Sequence, residues 1–217
     1  MSQQARVRIA KRIADEFEDG QIINLGVGIP TLIPDYIEGK NVYLHSENGL
    51  LGMGATPEEE FINMDLISAS KKPVTMEIGA SIFDSSDSFQ MIRGGHVDIA
   101  VLGTLQVDRT GEVANWAVPG ENILGVGGAM DLVAGAKKLI IATMHTSKDG
   151  TPKIVNELTF PSSGARKVNM VVTEHAVFEF INEKLFLIEI LSDISMGKLK
   201  EITATEFETK IQKTIKV

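Results

Sequence analysis

The segment at residues 21–31 reads QIINLGVGIPT and indicates which class of fold the chain adopts. Its first half, residues 21–25, is a short apolar run of the kind that forms a buried strand. Gly26 and Gly28 then allow a tight turn, and Pro30 suits the first turn of a helix that follows. A strand, a glycine turn and a helix N-terminus in this order are typical of α/β proteins and commonly form a cradle for an anion or a cofactor.

Taken alone, this glycine segment is a weak signal for nucleotide binding. It lacks the third glycine of the dinucleotide-binding fingerprint, and the sequence offers no convincing acidic partner for a ribose. The pattern therefore does not favour a nicotinamide enzyme.

More strands are predicted further along the chain. Residues 97–102 and 138–142 are apolar runs, as in parallel strands that are buried on both faces. A hairpin is predicted at residues 105–114, because short apolar runs flank a turn that ends at Gly111. Three later runs suggest a more antiparallel set, at residues 168–172, 176–180 and 185–190.

Helices are predicted at three places. Apolar residues recur at helical spacing in residues 3–18, and a short helix fits residues 85–93. Thr205 and Glu208 form a capping box, which predicts a last helix near the C-terminus. We find no repeat, low-complexity tract or linker, so we expect a single α/β domain over residues 1–217 with a mixed sheet.

Composition limits the class of protein. The 217 residues are 43% hydrophobic and 23% charged, which supports a folded core and argues against disorder. The absence of cysteine excludes a disulfide scaffold and a thiolate catalyst, and no apolar run approaches the ~20 residues that span a bilayer. The formal net charge of −8 does not suggest nucleic-acid binding. We therefore expect a cytoplasmic protein with no nucleic-acid or membrane partner.

The four histidines give no sign of a metal site. His45, His96, His145 and His175 lie far apart in the sequence, and none stands in a zinc-binding pattern. We interpret them as structural residues and predict no metal site.

Glu47 is the most informative candidate for chemistry. It follows the apolar run of residues 41–44, within the segment HSENGLLGMG at residues 45–54. Reactive side chains of α/β proteins commonly stand on loops at strand ends, and Asn48-Gly49 favours a tight turn there. A carboxylate so placed can act as a nucleophile and form a covalent intermediate. On local sequence alone, a glutamate that caps a surface turn is an equally good interpretation.

A second glycine cluster reads GVGGAMDLV at residues 125–133 and leads into a segment with helical character. Backbone N–H groups in such a turn can stabilise an oxyanion or a thioester carbonyl. A simple tight turn before a helix is the commoner structure for this pattern.

Other catalytic patterns are incomplete. Residues 68–71 match the S-x-x-K pattern of serine acyl-enzymes, but the companion elements are missing, and we reject that interpretation. Spacing reveals no Ser-His-Asp, Cys-His or paired-carboxylate set. Any chemistry therefore depends on a lone glutamate and two glycine-rich turns, a set that suits acyl transfer through a carboxylate.

Taken together and in order, these segments resemble the β subunits of the class I (3-oxoacid) CoA-transferases, the family that includes succinyl-CoA:3-ketoacid CoA-transferase. The most specific is the S-E-N-G-x-L-G-x-G run, with G-G-A-M-D-L-V downstream. The matching segments are residues 24–31, 46–54, 89–98, 111–116, 119–120 and 127–133.

The resemblance implies a role for each candidate residue. Glu47 would attack an acyl-CoA and carry CoA as a glutamyl thioester. Gly128 would supply a backbone donor near that thioester, with Gly127 and Ala129 beside it, and Lys71 would lie near CoA. CoA would thus be a substrate rather than a tightly bound cofactor, and the resemblance implies no metal.

The resemblance also implies a fold and a partner. The fold would be the family's, with a central, mostly parallel sheet flanked by helices. The chain corresponds to one half of the active site, so an α subunit is expected, in a heterodimer that pairs into an α2β2 heterotetramer. Small carboxylic acids and acyl-CoA would be its other partners, with succinyl-CoA and acetoacetate as the family's default pair.

Two departures from the family's pattern leave the acyl substrate open. The family often has Pro-Tyr-Pro where this chain has residues 55–57, Ala-Thr-Pro, and Asn-Ala-Gly-Lys where it has residues 68–71. Two other functions stay open on the same fold: an acyl-CoA hydrolase, in which water attacks the glutamyl intermediate, and a non-catalytic subunit of a related complex.

Overall fold

The computed structural model describes residues 2–120 and 125–214. The strands of this part of the chain are β1 (Ile22–Leu25), β2 (Tyr43–Ser46), β3 (Leu50–Met53), β4 (Met76–Ile82), β5 (Ile99–Leu102), β6 (Gln106–Asp108), β7 (Val113–Ala114), β8 (Lys138–Ala142), β9 (Ile154–Val155), β10 (Met170–Val172), β11 (Ala176–Ile181), β12 (Lys184–Ile190) and β13 (Glu208–Thr214). Its α-helices are α1 (Gln3–Ala14), α2 (Ser85–Arg93), α3 (Ala129–Gly135) and α4 (Met196–Ile202). Short 3₁₀ helices span Ile29–Tyr36 and Glu59–Phe61.

Ten strands form one sheet in the order β13-β12-β11-β10-β8-β5-β1-β2-β3-β4. The central strands β10, β8, β5, β1 and β2 are parallel to one another. Antiparallel pairs extend the sheet on both sides, through β3 and β4 at one end and β11 and β12 at the other. The prediction of a mixed, mostly parallel central sheet is confirmed.

Hydrophobic residues cover both faces of the sheet. All residues of β5 are buried, and they alternate between two core clusters, with Ile99 and Val101 in one and Ala100 and Leu102 in the other. Helix α1 packs on the first cluster, and α3 packs on the second. Burial on both faces is what the continuous apolar runs predict, and it places helices on either side of the sheet.

The predicted hairpin forms, but outside the main sheet. β6 and β7 pair antiparallel, and β6 also pairs with β9, which gives a separate three-stranded sheet. The prediction of a more antiparallel C-terminal set is confirmed by the β10–β11 and β11–β12 pairs.

The helix predictions had different outcomes. Helix α2 has the predicted bounds, and α1 ends at Ala14. Pro30 lies in the first turn of a 3₁₀ helix rather than of an α-helix. The predicted last helix is wrong, because the segment after Thr205 forms β13, which pairs in parallel with β12. Phe207 packs against the core just before this strand, and its ring lies 5.3 Å from that of Phe178.

In the described residues, no helix is long and apolar enough to cross a membrane. That the chain is one domain over residues 1–217 stays a prediction.

Candidate active site

Glu47 lies at the carboxyl end of the parallel strand β2, in the turn that leads into β3. The Gly49 N–H donates to the Ser46 carbonyl at 3.0 Å, and the Phe83 N–H donates to the Gly49 carbonyl at 3.0 Å. Gly49 has a φ of 114°, and a Cβ on it would come within 2.1 Å of the Phe83 oxygen. This turn therefore requires glycine, and its two backbone hydrogen bonds fix the point from which Glu47 projects.

The two neighbours of Glu47 hold a second loop against the turn. The Ala69 N–H donates to Ser46 Oγ at 2.8 Å, and Asn48 Nδ2 donates to the Ile67 carbonyl at 2.7 Å. The serine and asparagine of the S-E-N-G segment thus hold the loop of residues 67–72 beside the carboxylate.

The Glu47 carboxylate is half-buried and touches a buried amide. Asn24 Nδ2, on β1, donates to Glu47 Oε2 at 3.3 Å, and Asn24 is fully shielded from solvent. Sequence reasoning missed Asn24 as a site residue. The sequence did contain a sign of its role, because Asn24 is a polar residue inside the apolar run that forms β1 and occupies a buried position of the sheet.

The structure brings the two glycine-rich turns together. A Cβ on Gly128 would lie 3.4 Å from Glu47 Cγ and 3.3 Å from Phe89 Cζ, so the Gly128 backbone lies directly against the glutamate side chain. Gly128 immediately precedes α3, which packs on α2. The Arg93–Asp131 ion pair, at 2.7 Å, joins these two helices.

The structure places the other predicted site residues in different surroundings. Gly127 has a φ of 56° and faces open space, and the Ala129 N–H makes a long, 3.4 Å turn contact with the Val126 carbonyl. Lys71 is exposed at the tip of the 67–72 loop with a φ of 61°. Its neighbour Lys72, not Lys71, lines the cleft beside Glu47.

Two neighbouring clefts share Val27 on their walls. The small one, of about 90 Å³, holds Glu47 with Ser70 and Lys72 on its wall. The larger one, of about 620 Å³, opens where β1, β5 and β8 end, and Val27 lines both. The larger cleft is lined by the basic residues Arg6, Lys148 and Lys153 and by the acidic Asp149, so its lining has a net positive charge that favours an anionic ligand.

A third groove lies away from these residues. It measures about 1040 Å³ and is lined mainly by residues around β12, α4 and β13, with none of the predicted site residues among those described on its walls. In residues 2–120 and 125–214, no cluster of three or more His, Asp or Glu side chains could hold a metal ion.

Comparison with known proteins identifies the class to which this fold and site belong. The profile of the family described as "Coenzyme A transferase" matches residues 6–199. The chain therefore belongs to the coenzyme A transferase family, and the resemblance stated from the sequence is confirmed.

Curated relatives are similar over almost the whole chain. The B-type subunit of succinyl-CoA:3-ketoacid coenzyme A transferase from Helicobacter pylori is 46% identical over 206 residues, which cover 95% of this chain and 100% of the relative. The β subunit of acetate CoA-transferase from Escherichia coli is 46% identical over 94% of both chains. Succinyl-CoA:3-ketoacid coenzyme A transferase 2, mitochondrial, of Homo sapiens is 46% identical, and the match covers 94% of this chain but 40% of the human one.

Solved structures share the fold. An acyl-CoA transferase from Escherichia coli O157:H7 superposes with a TM-score of 0.79 at 24% identity, covering 99% of this chain and 43% of the other. Glutaconate coenzyme A-transferase from Acidaminococcus fermentans gives a TM-score of 0.72 at 16% identity, covering 94% and 85%.

Proposed function

We propose that this chain is the B-type half of an enzyme that transfers CoA between an acyl-CoA and a short-chain carboxylate or 3-oxoacid. In this proposal Glu47 is the nucleophile. The observation that carries it is the closeness of Glu47 to Gly128: a Cβ added to Gly128 would lie 3.4 Å from Glu47 Cγ, so the glutamate side chain lies beside the backbone of a second glycine turn. Family membership supports CoA as the group transferred.

The proposed reaction runs through two covalent states of Glu47. One carboxylate oxygen attacks the thioester carbonyl, and the CoA thiolate leaves, so that a mixed anhydride forms. The thiolate then attacks the glutamyl carbonyl and releases the first acid, which takes the bridging oxygen with it. The product is a glutamyl-CoA thioester, and the acceptor acid reverses both steps to give the new acyl-CoA.

Backbone donors suit this sequence, because each step develops negative charge on a carbonyl oxygen. In the proposal Gly128 lies nearest to that oxygen, with Gly127 and Ala129 next to it in the same turn. Lys71 was assigned to CoA by the resemblance. Lys72 lines the Glu47 cleft, so it is the better placed lysine for a substrate anion.

The larger cleft fits the remote part of CoA. It is basic, and it joins the Glu47 cleft at Val27. Binding energy gained there, away from the thioester, can orient and destabilise the reacting centre. CoA enters and leaves as a substrate in this scheme, so the proposal includes no resident cofactor.

Sequence identity to the relatives does not distinguish between the candidate substrates. The relatives named for succinyl-CoA with 3-ketoacids and for acetate are each 46% identical to this chain. Succinyl-CoA and acetoacetate are the default pair of the proposal, and an exchange screen over CoA esters and short carboxylic acids would decide it.

We further propose an α-type partner subunit, in an α2β2 assembly. Relatives of this length are named as B-type or β subunits, and the human chain is much longer than the matched region. β4 is at an edge of the sheet with all seven residues exposed or half-buried, and Ile78 and Ile82 are among its exposed apolar side chains. Phe61 and Met64 are exposed as well. Apolar surface of this kind marks a protein interface.

A cytoplasmic location is also part of the proposal.

Borohydride trapping tests the proposed nucleophile. The chain, co-expressed with its α-type partner, is incubated with acyl-CoA and then with borohydride, which reduces a glutamyl thioester to an alcohol and releases CoA. We expect inactivation that depends on acyl-CoA, together with a lower mass for the peptide that contains Glu47. Glu47→Gln should abolish exchange, whereas Glu183→Gln, on an exposed turn, serves as the matched control.

Other outcomes would favour the alternatives. Normal turnover by Glu47→Gln would refute the proposal and favour a non-catalytic role for this chain. Net release of CoA without an acceptor acid, at the rate of the exchange reaction, would instead identify an acyl-CoA hydrolase.

A further inference from the structure

The Glu47 carboxylate is held through a chain of buried polar side chains. Asn24 Nδ2 lies 3.3 Å from Glu47 Oε2, 3.1 Å from His45 Nδ1 and 3.2 Å from the His45 carbonyl oxygen. On the far side of the imidazole, His45 Nε2 lies 3.0 Å from Ser88 Oγ. The path from α2 to the carboxylate thus runs through Ser88, His45 and Asn24.

The hydrogen-bond roles along this path are fixed by what each atom can do. The Asn24 amide nitrogen is a donor, so His45 Nδ1 accepts, and His45 Nε2 carries the proton that is donated to Ser88. Rotating the amide of Asn24 by a half turn would set its oxygen, an acceptor, against two other acceptors, the His45 carbonyl and the Glu47 carboxylate, and is therefore unfavourable. Burial lowers the pKa of His45 to about 4, so the ring is neutral near pH 7 and keeps this one arrangement.

The arrangement has a local cost. Asn24 Oδ1 is buried and finds no hydrogen-bond partner within residues 2–120 and 125–214. A buried acceptor without a hydrogen-bond partner destabilises the folded state. The Asn24 amide nitrogen donates to Glu47 and His45, while the amide oxygen stays unpaired. Packing alone does not explain why an unpaired oxygen is buried at this position.

We infer that Asn24, aimed by His45 and Ser88, is a positioning residue that holds Glu47 Oε2 and leaves the second carboxylate oxygen to attack. This inference rests on Glu47 being the nucleophile. In the covalent states described above, the attacking oxygen leaves with the acid, and Oε2 remains as the glutamyl carbonyl oxygen. The Asn24 donor then lies on the atom at which charge develops when the thiolate or the acceptor acid attacks.

Kinetics of the α-partner complex test the inference. For Asn24→Ala we expect kcat to fall by about 10- to 100-fold, since a misplaced reacting group costs about that much. KM for the acyl-CoA should stay within about threefold, because the contacts of the substrate are unchanged. Asn169→Ala is the control: its side chain accepts from the Leu139 N–H at the amino ends of the parallel strands, whereas Glu47 follows a carboxyl end, and kcat should be unchanged.

A second pair of variants covers the case in which Asn24→Ala does not fold. His45→Leu removes the acceptor that aims the Asn24 amide, and His45→Gln keeps an acceptor and a donor on a side chain of similar reach. We expect a lower kcat for His45→Leu and its recovery in His45→Gln, with borohydride labelling of Glu47 slowed in the first and restored in the second.

The failure of this inference differs from the failure of the proposed function. If borohydride labels Glu47 in the wild type while Asn24→Ala, or His45→Leu in its place, retains kcat within about twofold, the inference is wrong and the nucleophile stands. If acyl-CoA never leads to labelling of Glu47 in the wild type, the nucleophile is wrong and the inference falls with it.

Discussion

Gly128→Ala tests whether the second glycine turn lies against the reacting carboxylate. Gly128 has a φ of −81° and a ψ of 0°, which alanine can adopt without strain. Restricting the unfolded chain stabilises such a variant by about 0.4–1 kcal/mol, and the tight contacts of the new methyl group offset this gain. We therefore expect a free energy of unfolding within about 1 kcal/mol of the wild type.

The effect on catalysis should be much larger than the effect on stability. The methyl group would lie 3.4 Å from Glu47 Cγ and 3.3 Å from Phe89 Cζ, so the glutamate or the phenylalanine must move by a few tenths of an ångström. Misplacement near 1 Å costs about 100-fold, so we expect kcat to fall by about 10- to 100-fold, or about 1.4–2.7 kcal/mol in the barrier.

The assay is CoA exchange by the purified complex, with urea denaturation of the same samples. Gly197→Ala is the matched control, because a Cβ there meets nothing within 4 Å and the residue lies in α4. A wild-type kcat for Gly128→Ala would refute the argument that Gly128 adjoins the reacting atoms. A fall in kcat together with a comparable fall in the free energy of unfolding would show that the methyl group disturbed packing rather than catalysis.

Three further predictions concern the turn, the histidines and the exposed edge. Gly49→Ala should lower the free energy of unfolding by more than about 2 kcal/mol, because its Cβ would clash with the Phe83 oxygen at a φ of 114°; an unchanged urea midpoint would contradict this. Burial lowers the pKa of both His45 and His145 to about 4, against an ordinary value of 6.5. Below pH 6.5 the unfolded chain therefore binds protons that the folded chain does not, and stability should fall between pH 6.5 and 4 by up to about 3 kcal/mol per histidine; equal urea midpoints at pH 7 and pH 5 would rule this out. Ile78→Glu should leave the thermal stability of the isolated chain unchanged but weaken co-purification with the α-type partner by at least about tenfold in affinity, and normal recovery of the complex would place the interface elsewhere.

The sequence predicts the central sheet well because its signal is local. Residues 97–102 and 138–142 are apolar runs, and strands that are buried on both faces of an α/β sheet have this composition. The capping box at Thr205 gave a wrong helix prediction because it, too, is only a local signal. It is a local pattern, whereas β13 depends on pairing with β12, which no window around Thr205 contains.

The site is harder to predict because its parts come from distant segments. Spacing gives no distance between Glu47 and Gly128, and only the resemblance linked them before the structure placed the glutamate side chain beside the Gly128 backbone. Local sequence also does not tell Lys71 from Lys72, since the orientation of each side chain is set by the backbone of the 67–72 loop. Asn24 could have been noticed as a polar residue in an apolar run, but its orientation depends on His45 and Ser88.

The loop of residues 67–72 is attached to the turn that carries Glu47 through backbone atoms, and this affects which positions of the loop can vary. Ser46 and Asn48 hydrogen-bond to backbone atoms of this loop, the Ala69 N–H and the Ile67 carbonyl. Every residue type except proline supplies that N–H at position 69, and every type supplies the carbonyl at position 67. The side chains at positions 70 and 72 can therefore vary while the attachment stays intact, and both line the Glu47 cleft. If the proposed function holds, selection, natural or in the laboratory, can thus change which acid the cleft accepts without altering Glu47, the proposed nucleophile.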